Sequence, residues 1–221
     1  MEKTNRYAYK SKVIAYIIAF ILVIFPAKTN TYAVYAPSTF STGHITYSSG
    51  VYNIGDYSTT LSASVSSWNT SISSYYVYNN HDCEDNVSLS SVSSGDVIVS
   101  YTSSYPSYDV LGRVSLWAHN GDGEAFTLDL TNGAQWEYGF LYVYPAHIIA
   151  LVNQMQGFST SDIPDCIKHT TVHEFGHILG LMHAAYGQND SVMKSGLSTN
   201  HTPSSYDLDD IHYQWCIRHS N

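Results

Sequence analysis

The sequence predicts an α+β fold, and the order of its segments is the main reason. A helical pattern comes first, several short strand patterns follow, and a long helix, an irregular segment and a final helix complete the chain. Glycine-containing turn signals separate the strand patterns, and no internal repeat is present. A sheet with helices packed beside it accounts for this order.

The N-terminus carries the pattern of a secretory signal. Four Lys and Arg residues within the first 12 positions precede an unbroken apolar run at 13–25. Because this run is short for a membrane span, we predict a signal peptide at 1–33, with an uncleaved anchor as the alternative. Small residues favour cleavage after Ala33 or, as a second choice, after Ala36. The mature protein is therefore expected to be secreted and extracellular.

The mature chain is short and strongly acidic. Without residues 1–33 it has 4 Lys and Arg and 17 Asp and Glu, a formal net charge of −13. This charge disfavours nonspecific binding to nucleic acid or to anionic membranes. We expect an extended Tyr/Ser/Gly-rich leader at 34–57, compatible with an early strand, and then one domain at 58–221. We expect that domain to be monomeric.

The first helix and the strands after it follow from hydrophobic periodicity. Leu61, Val65, Trp68 and Ile72 have spacings of 4, 3 and 4, which predicts an amphipathic helix packed on a sheet. Residues 79–95 are polar and predict a loop. Three strands are predicted further on: 96–101, 110–117 and 125–130.

Three more helices are predicted in the second half of the chain. A short one is expected at 146–155. A longer one should begin within 162–165 and end at Gly180, because glycine readily adopts the left-handed conformation that ends a helix. The last should begin at Asp207, with this residue as N-cap and Asp210 at N3.

The most specific signal is the segment 173–183, which has the pattern H-E-x-x-H-x-x-G-x-x-H. His173 and His177 are one helical turn apart, so two imidazoles can reach one Zn²⁺. Glu174 points about 100° round the helix and can act as a general base on a water molecule. The turn at Gly180 can return His183 as a third ligand. Three protein ligands with one open position are typical of a catalytic zinc site.

This long motif resembles that of the metzincin zinc endopeptidases, and among them the matrixin (matrix-metalloproteinase-like) catalytic domains. The resemblance implies Glu174 as catalytic base and three zinc ligands: His173, His177 and His183. It also implies a twisted mixed sheet with an upper helix, an active-site helix, a Met-turn and a C-terminal helix. Met193, ten residues after His183, is the candidate methionine of that turn.

Two features depart from the pattern of these families. Ser195 stands where astacin- and serralysin-like members have a tyrosine and matrixins a proline, so no tyrosine ligand is expected. No cysteine-switch motif is present, and the leader at 34–57 is too short for a folded propeptide. Activation by removal of a matrixin-type propeptide is therefore not expected.

The resemblance also implies how a peptide substrate would bind. A sheet edge around Val114–His119 would pair with the extended peptide. The S1′ pocket would lie between the active-site helix and the residues after Met193. Its depth would be shaped at His169, and a polar residue there argues against a simple deep apolar pocket.

Three further groups of residues are candidates for other roles. A structural Ca²⁺ could be held by Asp122, Glu124 and Asp129, with a solvated acidic turn as the alternative. Three cysteines allow one internal disulfide at most, and we favour Cys83–Cys216 with Cys166 as a buried free thiol. The remaining histidines are expected at the surface or in local hydrogen bonds: His44, His81, His119, His147, His169, His201, His212 and His219.

Together these patterns predict a secreted zinc endopeptidase that acts on proteins or peptides. Two alternatives stay open. One is a non-catalytic peptide-binding protein on the same scaffold, and the other is a zinc hydrolase of a non-peptide amide.

Overall fold

The computed structural model describes most of the chain beyond the predicted signal peptide. The described residues are 40, 43–50, 55–79, 87–103, 110–119, 125–127 and 135–217. The predicted signal peptide, its predicted cleavage sites, Cys83 and the acidic residues considered for Ca²⁺ lie outside these ranges. Within the described ranges, no helix is both long and apolar enough to cross a bilayer.

The described residues form six strands and four α-helices. The strands are β1 (His44–Ser49), β2 (Ser88–Ser91), β3 (Val97–Tyr101), β4 (Gly112–His119), β5 (Ala125–Thr127) and β6 (Tyr138–Val143). The helices are α1 (Ser58–Asn79), α2 (Pro145–Val152), α3 (Ile163–Ile178) and α4 (Ser205–His212). A 3₁₀ turn (Thr160–Asp162) precedes α3, and a π-helical turn (Tyr213–Ile217) follows α4.

All six strands belong to one mixed sheet with the order β2-β1-β3-β6-β4-β5. The strands β2, β1, β3 and β6 run parallel to one another, whereas β4 is antiparallel to both β6 and β5. The fold therefore contains a mixed sheet with helices, which is compatible with the arrangement that the metzincin resemblance implies.

Helix α1 packs as its periodicity predicts. Leu61, Val65, Trp68 and Ile72 are all buried. The Trp68 indole donates a hydrogen bond of 2.8 Å to the carbonyl of Val172 in α3. Burial of this apolar face, together with that bond, fixes α1 against the helix that carries the histidine motif.

Strand β2 corrects the prediction of a loop over 79–95. Only Leu89 among its four residues is buried, so the sequence has no clear strand pattern. The strand is held by β1 on one side, while the Asn69 side chain of α1 bonds both the N–H and the carbonyl of Leu89, each at 2.9 Å. Tertiary contacts rather than local preference make this segment extended.

Strands β1 and β6 supply the centre of the sheet. The early strand considered within 34–57 is observed as β1, which pairs with both β2 and β3. The sheet therefore begins inside the segment that the sequence assigns to a leader. β6 was not predicted, although its burial alternates, with Gly139, Leu141 and Val143 facing the core.

The start of α4 differs from the prediction by three residues. Ser204, not Asp207, is the N-cap, and Asp207 occupies N3. The Ser204 hydroxyl accepts from the Asp207 N–H, and the Asp207 carboxylate accepts from the Ser204 N–H. This reciprocal capping box satisfies two N–H groups at the helix start, so the helix begins earlier. Asp210 is a buried residue inside α4.

The cysteines agree with the prediction where the structure describes them. Cys166 is a buried free thiol, and burial raises its pKa to about 11. Cys216 is disulfide-bonded. Its predicted partner, Cys83, lies outside the described residues.

Candidate metal centre

Three imidazoles come together at the C-terminal half of α3. His173 and His177 lie on one face of the helix, and His183 approaches them from the segment that follows. One ring nitrogen from each histidine lies within 4.8 Å of the others. The first two side chains are buried and His183 is exposed, so the cluster opens to solvent on one side.

The end of α3 explains how His183 returns to the helix. Gly180 has φ 91°, a left-handed conformation that suits glycine. Its N–H donates to the His177 carbonyl (3.1 Å), and the Leu181 N–H donates to the Gly176 carbonyl (2.9 Å). These two bonds form a Schellman motif, which reverses the chain direction directly after the helix.

Backbone carbonyls fix the orientation of the two helical imidazoles. His173 Nδ1 lies 2.8 Å from the Val192 carbonyl, and His177 Nδ1 lies 2.8 Å from the Leu181 carbonyl. A carbonyl only accepts, so each Nδ1 carries the proton and each Nε2 presents its lone pair. Metal-binding histidines usually donate their other ring N–H to a carbonyl or carboxylate in this way, which fixes the ring orientation.

The same two histidines are kept neutral by burial. Desolvation is the largest cause that lowers the pKa of His173 well below its ordinary value and the pKa of His177 to about 4. Neutral imidazole is the form that binds a metal. Three neutral nitrogen donors with one open side fit Zn²⁺.

Glu174 is buried beside the histidines, with 5% of its surface exposed. Desolvation raises the pKa of its carboxyl group to about 8. Gly112, at the start of β4, faces it so closely that a Cβ there would lie 2.5 Å from Glu174 Oε1. No sequence pattern singles out Gly112, since its importance arises only from packing of β4 on α3.

Met193 lies directly under α3. It is 1% exposed, and a Cβ on Gly176 would overlap its sulfur. The Met193 carbonyl accepts from the Ala184 N–H at 2.9 Å, which ties the turn to the segment after His183. The sequence prediction assigned no role to Gly176 either, although a glycine in the interior of a helix often indicates close packing.

A cleft of about 220 Å³ leads to this cluster. Its lining includes Val110 and Leu111 just before β4, Gly112 at the start of β4, and Ser195 and Gly196. His173, Glu174 and His183 all line the same cleft. The cleft therefore brings the candidate base and two of the candidate ligands to one solvent-accessible space.

His169 also lines the cleft and is 2% exposed. Its Nδ1 donates to the Asn200 carbonyl, and its Nε2 has no hydrogen-bond partner. Burial lowers the pKa of this imidazole. A neutral ring with a bare Nε2 offers a hydrogen-bond acceptor beside the cluster.

The predicted sheet edge at Val114–His119 needs a correction. β5 pairs with β4 from Trp117 to His119, so this part of β4 is covered. Within the described residues, the Gly112–Leu116 stretch pairs with β6. The residues that follow β5, from 128 to 134, lie outside the described residues.

Most of the other described histidines have local partners, as expected. His44 pairs with Ser88, His119 with Glu137, His147 with the Val110 carbonyl, and His201 with Asp165. His147 and His169 are buried rather than superficial. His212 contacts the rings of Tyr75 and Tyr76, while His81 and His219 lie outside the described residues.

Comparison with known proteins gives only distant likenesses. No protein-family model and no curated protein matches this chain. The GM1-bound form of the ECX AB5 holotoxin is similar over 79% of this chain and 80% of its own chain, with 15% identity and a TM-score of 0.46. A structure of myroilysin is similar over 83% of this chain and 98% of its own, with 14% identity and a TM-score of 0.39. At such low TM-scores neither likeness adds to what the geometry of the site shows.

Proposed function

We propose that this protein is a secreted zinc-dependent endopeptidase of the metzincin, matrixin-like kind. One observation carries the proposal: three imidazole nitrogens lie within 4.8 Å of one another, and Glu174 lines the same cleft as two of these histidines. His173, His177 and His183 would hold Zn²⁺, with Gly180 and Met193 as structural support. Peptide or protein substrates, a monomeric state and an extracellular location belong to the same proposal.

The residues around the cluster suit peptide hydrolysis. Bound by the three imidazoles, Zn²⁺ would supply a Lewis acid that polarises a carbonyl group and acidifies a water molecule. Glu174 takes the proton from the attacking water and delivers it to the leaving amine, so that OH adds to the carbonyl carbon and H to the amine nitrogen. A carboxylate beside the cluster can hold that proton between the two transfers.

The start of β4 favours a peptide over a smaller amide. Gly112 faces Glu174 at close range, so an extended peptide that lay along this part of the cleft would pass beside the candidate base. A purely binding protein would not need the buried carboxyl group.

Replacement of Glu174 by alanine tests the proposal. Glu174→Ala should bind one zinc per chain yet lose hydrolysis of a peptide library by about 100-fold or more, because general base catalysis is removed. Glu137→Gln, at an exposed glutamate paired with His119, is the matched control and should keep full activity. Zinc content and cleavage are measured before and after treatment with a chelator, then after zinc is restored. Undiminished cleavage by Glu174→Ala would exclude this mechanism, and zinc binding without cleavage by the unmodified chain would favour the binding protein.

A further inference from the structure

A continuous hydrogen-bond chain joins the buried carboxylate of Asp207 to the imidazole of His173. His173 Nδ1–H donates to the Val192 carbonyl at 2.8 Å. The N–H of the same peptide unit, that of Met193, donates to Ser191 Oγ at 2.9 Å. The Ser191 hydroxyl in turn donates to Asp207 Oδ1 at 2.5 Å. Every bond points in the same direction, from the imidazole to the carboxylate.

The far end of this chain is anionic and fully enclosed. Asp207 is 0% exposed, and Ser191 is 3% exposed. The other carboxylate oxygen, Oδ2, accepts from the Val192 N–H (3.1 Å) and from the N–H and hydroxyl of Ser204 (each 2.8 Å). All four partners of the carboxylate are donors, which is the environment of the ionised, acceptor-only form.

Aligned hydrogen bonds in a low-dielectric interior polarise one another. A carboxylate at the accepting end draws the Ser191 proton, which makes the Ser191 oxygen a better acceptor for the Met193 N–H. The Val192 carbonyl then becomes more negative and holds the His173 Nδ1–H more strongly. A histidine whose Nδ1–H is bonded in this way is a more basic ligand at Nε2, and its ring is held in place.

We propose that Asp207 and Ser191 are positioning residues that tune His173 as a metal ligand through this hydrogen-bond chain. Neither residue touches the metal or the substrate. The inference rests on the proposed zinc site and concerns how tightly that site holds its ion. It also gives Asp207 a second role besides the capping of α4.

Ser191 is the link to test, because its removal leaves Asp207 anchored by Val192 and Ser204. Ser191→Ala should weaken Zn²⁺ binding about 10-fold, in the range found when outer-shell partners of metal ligands are removed. Ser191→Thr keeps the hydroxyl and should restore most of that affinity. Asp207→Asn should weaken binding to a similar extent, because it removes the charge.

Ser204→Ala is the matched control, since it removes a donor to Asp207 and the cap of α4 but leaves the chain to His173 intact. It should lower the thermal midpoint without changing zinc affinity. Affinity is measured on the folded full chain by competition for Zn²⁺ with a chromophoric chelator, beside thermal unfolding of the metal-free protein. Equal affinity in Ser191→Ala and the unmodified chain would overturn the inference, and so would a uniform loss in all variants. If the unmodified chain bound no zinc, the proposed function itself would fail.

Discussion

Gly176 lies where α3 packs against the side chain of Met193. Because a side chain at this position would overlap the Met193 sulfur, the glycine sets the distance between the helix and the turn. His173 and His177 flank it on the same helix. The absence of a side chain at Gly176 therefore sets how closely the helix that carries both candidate ligands packs against the methionine.

Gly176→Ala should destabilise the protein by about 1–3 kcal/mol, because the added methyl group overpacks a closed interior. Met193→Ala removes the obstructing side chain and should cost about 2–5 kcal/mol through the cavity that it leaves. The double variant should lose less than the sum of the two, because each change relieves the other. Chemical denaturation of the four metal-free proteins measures this, and strict additivity would show that the two residues do not compete for space.

At the residue scale, the sequence predicted the candidate ligands because helix geometry alone brings positions four apart together. His173 and His177 needed no tertiary information, and Gly180 gave the turn that returns His183. Ser191 and Asp207 could not be found in this way. They are 16 residues apart and meet only after the turn and α4 have packed together.

At the scale of secondary-structure elements, Gly180 is the important residue, because it ends α3 and begins the segment that carries His183. Gly180→Ala should lower stability by about 1–2 kcal/mol, because an alanine is strained at a φ of 91°. It should also weaken zinc binding, because the same turn places the Leu181 carbonyl on His177.

Gly187→Ala is the matched comparison for that change. Gly187 has a similar φ of 96° with open space around it and lies outside α3. It should lose similar stability but keep zinc affinity. Thermal unfolding and zinc competition on both variants separate the two effects, and an equal loss of affinity in both would contradict the role of the turn.

The elements themselves were predictable where one face is apolar. Leu61 to Ile72 marked α1 because the spacing alone defines a buried stripe. β2 was missed because Leu89 is its only buried residue and its pairing depends on β1 and Asn69. β6 was missed because Gly139 interrupts the segment, although Tyr138, Phe140, Tyr142 and Val143 all favour strands.

At the scale of the whole molecule, buried titratable groups make stability depend on pH in opposite directions. Glu174 has a raised pKa of about 8 in the metal-free fold against an ordinary 4.5, so the unfolded chain ionises first. Its contribution to stability is therefore lost as the pH rises from about 4.5 to about 8. The lowered pKa values of His173 and His177 act the other way. In the unfolded chain these imidazoles bind protons below their ordinary pKa of 6.5, so their contribution to stability is lost as the pH falls below that value.

Glu174→Gln isolates the first contribution. In the presence of a chelator, the stability of this variant relative to the unmodified protein should increase as the pH rises from about 4.5 to about 8. The increase should be about 1.4 kcal/mol for each unit by which the pKa of Glu174 differs between the folded and the unfolded protein. Denaturant unfolding across that range measures it. Glu137→Gln should show no such rise, since hydrogen bonds from His119 lower the pKa of that exposed group. A pH-independent difference for Glu174→Gln would contradict the raised pKa.

The two tryptophans bonded to the backbone at α3 give the molecule an optical reporter of its own site. Trp68 donates to the Val172 carbonyl, just before the first candidate ligand, and Trp215 donates to the Leu179 carbonyl at the helix end. Both indoles are almost fully buried, so their emission should lie at short wavelength and shift when α3 loosens. Once Trp117 and Trp136 are replaced, intrinsic fluorescence should therefore follow local opening of this helix without any attached label.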